Sequence, residues 1–96
     1  MLQPLTIMTD TPERAKPLVK VAIQNELKTL LHGIKRTREQ LAGFEKRFGM
    51  TSEEFARRFD GVDLKETLDF LDWWMEIQAL QMLEEDYRVL TEARLD

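Results

Sequence analysis

Eight residues between Ile23 and Phe48 decide most of what this chain can become. Ile23, Leu27, Leu30, Ile34, Thr37, Leu41, Phe44 and Phe48 follow one another at alternating steps of four and three, the spacing that keeps side chains on one stripe of an α-helix. Sustained over more than three heptads, the pattern excludes a strand, whose apolar face repeats every second residue. Leu31 widens the stripe on one flank and Gly33 lies close to the other, so the helix offers a face broader than the seam of a two-stranded coiled coil. From Leu18 to Phe48 such a helix is about 45 Å long and needs an apolar neighbour along its whole length.

Punctuation on either side sets the organisation. Residues 1–17 hold all three prolines, Pro4, Pro12 and Pro17, without an apolar period; they read as a flexible N-terminal arm ahead of a helical hairpin domain over residues 18–96. Pro17 suits the first turn of the helix, where its missing N–H has no partner to lose. Gly49 stands where a left-handed C-cap ends helices most often. Thr51 and Glu54 then have the spacing of a capping box, with Met50 and Phe55 placed to close a hydrophobic staple. A short helix follows, carrying Phe55 and Phe59 on one face and stopping at Gly61. Asp63 with Glu66 forms a second capping-box pattern, which predicts a third helix from Leu64 to about Arg94.

That third helix is apolar on two neighbouring faces in its first half. Leu64, Leu68, Leu71, Met75, Gln78 and Met82 form one row, and Phe70, Trp74 and Ile77 form another. In its second half Leu80, Leu83, Tyr87 and Leu90 lie on a different side from the opening row, which predicts a bend or a change of neighbour near residues 77–83. A lone hairpin supplies one long neighbour only, so a second chain is expected to cover the remainder. Residues 28–47 carry six cations against two carboxylates, a balance of +4, whereas residues 63–96 carry three against ten, a balance of −7. Opposite signs favour pairing the two long helices with each other rather than like with like. The fold expected is all-α: long helix, short helix, long helix as an antiparallel hairpin, dimerised into a four-helix bundle.

Composition narrows the function classes. Ninety-six residues make one domain, and the absence of cysteine removes disulfides, thiolate metal sites and cysteine nucleophiles. The longest uncharged stretch, Met1–Thr9, is half the length of a membrane span and has no basic leader, so the expectation is a cytoplasmic protein with no membrane association. The net charge of −4 opposes a whole-molecule attraction to nucleic acid. A basic cluster, Lys35, Arg36, Arg38, Lys46 and Arg47, is the candidate phosphate-binding group, but no aromatic residue is interleaved with it for base stacking. RNA or DNA association through this first helix is therefore an alternative reading only. His32, the one histidine, falls off the apolar stripe, and Asp69, Asp72 and Glu76 share one helix face without a loop or glycine to add backbone oxygens. Neither a metal site nor a cofactor is expected, nor any catalytic residue.

The residues that stand out are those of an interaction surface. Trp73 and Trp74 are adjacent, so they point about 100° apart, and one can fill the hairpin core while the other meets a second chain. Phe70, Trp73, Trp74 and Ile77 are the interface candidates, and Asp69, Asp72 and Glu76 the acidic face offered to a basic protein partner.

Two resemblances bear on function. The long–short–long plan resembles the all-helical chorismate mutases in architecture; they hold a dicarboxylate with inward arginines and lysines, whereas the seam from Ile23 to Ile34 is apolar, leaving Arg38, Arg57, Arg58, Glu54 and Gln78 for such a role. The run from Phe44 to Phe55, with Leu68-Asp69-Phe70-Leu71-Asp72-Trp73, is similar to small prokaryotic helical-hairpin proteins, some of them antitoxin-like. That resemblance covers most of residues 20–92 and implies an oligomeric, partner-binding protein without catalysis. The leading expectation is a homodimeric helical interaction module, antitoxin-like or inhibitory toward its partner, with a helical-bundle enzyme of chorismate-mutase type as the alternative.

Overall fold

The computed structural model describes residues 4–5, 8–60 and 64–95. Its three helices are α1 (Pro12–Phe48), α2 (Ser52–Asp60) and α3 (Leu68–Glu92). The long–short–long order is the one the sequence predicts, and α1 packs along α3. Beside the helices, Pro4–Leu5 and Arg94–Leu95 pair in parallel over two residues, Pro4 next to Arg94 and Leu5 next to Leu95.

The apolar stripe does what its spacing dictates. Leu30, Ile34, Thr37 and Leu41 are the buried residues of α1, one turn apart on the face toward α3. Gly33 lets the helices approach: a Cβ there would stand 3.3 Å from a methyl of Leu83. Gly49 closes α1 in the left-handed region, φ 67°, where an L side chain is strained and glycine is not. The cap of α2 forms as expected, the Glu54 N–H donating to Thr51 Oγ1 at 3.1 Å. A second bond was not foreseen: Glu45, still on α1, accepts from the Ser52 N–H at 2.7 Å, so α1 itself satisfies one of the orphan donors of α2.

Two boundaries differ from expectation. α1 starts at Pro12 rather than Leu18, with Pro12 in the first turn and Pro17 inside the helix. Pro17 forfeits only the bond to the Glu13 carbonyl, on a stretch exposed to water, and the Arg14 and Ala15 N–H groups both donate to the Thr11 carbonyl. The other boundary is the start of α3 at Leu68 rather than Leu64. Thr67, extended in backbone, accepts from the Phe70 N–H at 3.1 Å and is the N-cap; Asp63, the expected cap, lies outside the described residues.

Aromatic packing concentrates at the turn end. Trp73 and Phe55 are fully buried and stacked at 4.0 Å between centroids, with planes 5° apart. Phe44 and Phe48 stack on Trp73 from α1, at 5.6 and 5.7 Å. Leu41, Met50, Phe59, Leu64, Phe70, Trp74, Ile77 and Leu80 complete this cluster. Away from the turn only two helices remain to cover one another.

The resulting shape is long, 57 × 22 × 19 Å, its length that of α1. The radius of gyration is 18.6 Å, against about 12.5 Å for a compact domain of this length. The surface is 7452 Å², roughly 1,700 Å² above the figure of about 5,800 Å² that its mass implies for a compact monomer.

Candidate interaction surfaces

The structure turns α3 relative to the expected assignment. Trp73 is fully buried within its own chain, its indole N–H donating to Ser52 Oγ at 3.0 Å. Phe70, Trp74 and Ile77 pack partly buried against the same core, Phe70 edge-on to Phe48 at 5.2 Å and Trp74 beside Phe59 at 5.8 Å. The four residues expected at an interface therefore face α1 and α2, because seven aromatic rings from three helices meet at the turn and exclude water best together. With Trp73 included, Phe70, Trp73, Ile77, Leu80, Leu83, Tyr87 and Leu90 make one inward row at helical spacing. The expected change of phase near residues 77–83 does not occur.

What faces out is the other row. Leu68, Met75, Met82 and Val89 are exposed by 82%, 66%, 67% and 53%, each seven residues from the next and opposite Trp73 on the helix. Leu71 and Gln78 lie between them, half-buried. A helix apolar on both sides is ordinarily covered on both, and this chain covers one.

The acidic face is largely committed within the chain. Arg47 donates to Asp69 through both terminal nitrogens, at 2.9 and 3.4 Å. With its nitrogen turned toward the carboxylate, the Gln40 amide donates to both oxygens of Glu76, at 2.7 and 3.1 Å. Of the three carboxylates expected to meet a basic partner, Asp72 alone points away from α1.

The basic cluster divides as well. Arg38 binds Glu84 at 2.6 Å, whereas Arg47 binds Asp69 and lies over the Phe48 ring at 5.0 Å. Nine residues apart, these arginines leave α1 on opposite sides, so no single phosphate-binding face forms. Lys35, Arg36 and Lys46 are exposed along the outside of α1. Further along α3, Arg88 binds Glu85 at 2.6 Å and Glu92 at 2.9 Å, which raises the Arg88 pKa and holds the Glu85 carboxyl below its ordinary value.

The concavities are open grooves. One of about 450 Å³ runs between Arg38, Ala42 and Glu45 of α1, Ser52 and Ala56 of α2, and Ile77 and Gln81 of α3. Another, of about 740 Å³, separates the far ends of the long helices and is lined by Lys16, Lys20, Ile23, Leu27 and Leu90. Among the described residues Thr37 is the one buried polar side chain, so no inward cation of the chorismate-mutase kind is assembled within one chain. His32 is exposed. Among the described residues no three His, Cys, Asp or Glu side chains converge as metal ligands, and no helix is long and apolar enough to cross a membrane. No family model, no curated protein and no solved structure matches the chain.

Proposed function

We propose that this protein is a non-catalytic helical interaction module that works as a homo-oligomer. The observation that carries the reading is the surplus surface: a 57 Å hairpin with roughly 1,700 Å² more area than a compact monomer. A standard interface takes about 800 Å² from each partner, and obligate homodimers take more, so the surplus is enough for a permanent subunit contact. The resemblance of the run from Phe44 to Phe55 to small antitoxin-like proteins supports the same reading, a chain that acts by binding another protein.

Association and folding are linked in such a molecule, so the melting temperature depends on protein concentration. Thermal unfolding followed by circular dichroism from about 1 to 200 μM is the test. A midpoint that climbs with concentration supports the reading; a constant midpoint together with a monomer mass in light scattering overturns it.

A further inference from the structure

We infer that two copies of this chain pair back to back along α3, antiparallel, with the two-fold axis beside Gln78 and Ala79. The inference rests on the homo-oligomeric reading and adds to it the face and the direction.

The face is chosen by what the fold leaves uncovered. Leu68, Met75, Met82 and Val89 repeat at seven residues over four turns and more of α3 and are each at least half exposed, whereas the opposite side of the same helix packs against α1 and α2. Leu71 and Gln78 fall between them at steps of three and four, the spacing of a helix seam. α1 has no equivalent. Its exposed apolar residues, Leu18, Val21 and Leu31, are separated by Gln24, Asn25 and Lys28 and do not form a row. The surplus area of roughly 1,700 Å² per chain is ample for the contact of about 800 Å² per partner that a stable dimer requires.

The direction follows from charge. Three carboxylates border the outward row, Asp72 in the first half of α3 and Glu85 and Asp86 in the second, while Leu71, Met75, Gln78 and Ala79 are uncharged. Parallel pairing sets Asp72, Glu85 and Asp86 of one copy against the same residues of its partner, three like-charge levels. Antiparallel pairing parts the two Asp86 carboxylates, setting each beside the partner subunit's Leu71, and leaves two like-charge levels, Glu85 with the partner subunit's Asp72, in place of three; it opposes the helix dipoles as well. The row keeps its register in that arrangement: Leu68 meets the level of the partner subunit's Val89, and Met75 that of the partner subunit's Met82.

The chain has no cysteine, so a single introduced thiol reports one position. Full-length Leu68→Cys and Gln81→Cys, each carrying a nitroxide label, give the label-to-label distance within the dimer by pulsed electron resonance. Antiparallel pairing predicts about 30 Å at position 68 and under about 20 Å at position 81. Short distances at both positions mean parallel pairing, and distances beyond about 40 Å at both mean another face; either result overturns the inference. Mass provides the second arm. Met75→Glu, at an exposed position that the folded chain tolerates, is expected to give a monomer with unchanged helical circular dichroism, while Leu31→Glu stays dimeric. If Leu31→Glu dissociates the oligomer and Met75→Glu does not, the α3 face is wrong and the homo-oligomeric reading survives. A wild-type chain that is monomeric with a concentration-independent midpoint ends both.

Discussion

Trp73 ties the three helices together at a single side chain. It stacks on Phe44 and Phe48 of α1 and on Phe55 of α2, and its indole N–H is satisfied by Ser52. Trp73→Ala removes all of these at once and is expected to cost about 4 kcal/mol, a large share of what a domain this size possesses, measured by chemical denaturation. Gly43 is the opposite case. It lies inside α1, exposed, and a Cβ there meets nothing within 4 Å. Gly43→Ala therefore keeps every contact and gains helix propensity, an expected stabilisation of about 1 kcal/mol, read as a rise of several degrees in the melting midpoint. Which tryptophan enters the core was not legible in the sequence. Trp73 and Trp74 each sit on an apolar row, and periodicity ranks rows by count rather than by the volume of the rings that will face them. The signal lay elsewhere, in Phe44, Phe48 and Phe55, whose bulk around the turn calls for the row that holds most aromatic partners.

Among the elements, α1 was nearly complete in its pattern. A seam of eight positions and a glycine at the end leave little freedom, and only the start moved, because two prolines five residues apart both suit a first turn. α3 was legible as a helix and illegible as a surface. Both of its rows are apolar, so nothing in its own spacing says which one the hairpin uses; the neighbours decide. Its start was ambiguous for a similar reason, Asp63 and Thr67 both being good N-caps. The C-terminal half of α3 carries a pH dependence of its own. Glu85 has its carboxyl held below the ordinary value of 4.5, first by the hydrogen bond from Arg88 and then by its charge. A lowered folded-state value means that this contribution is complete above that ordinary value and disappears as the pH falls through the folded one. Acid titration of the helical signal is expected to show a loss in that range which Glu85→Gln lacks, with the neutral-pH signal retained.

At the scale of the whole molecule the core is lopsided. Seven aromatic rings crowd the turn, whereas the far half of the hairpin is held by Leu30, Ile34, Leu83 and Leu90 beside an open groove. Local stability follows buried contacts, so amide hydrogen exchange should be slowest near Leu41 and Trp73 and progressively faster toward Ile23 and Leu90. Uniform protection along both helices would contradict this. One consequence reaches beyond stability. A hairpin stacked tightly at the turn, with its far end joined only by the short pairing of Pro4–Leu5 with Arg94–Leu95, behaves as a tuning fork with a light clasp across its tips: the handle is stiff and the tines yield first. A strain applied across the tips is taken up in the groove between Leu27 and Leu90 before it reaches the stack around Trp73.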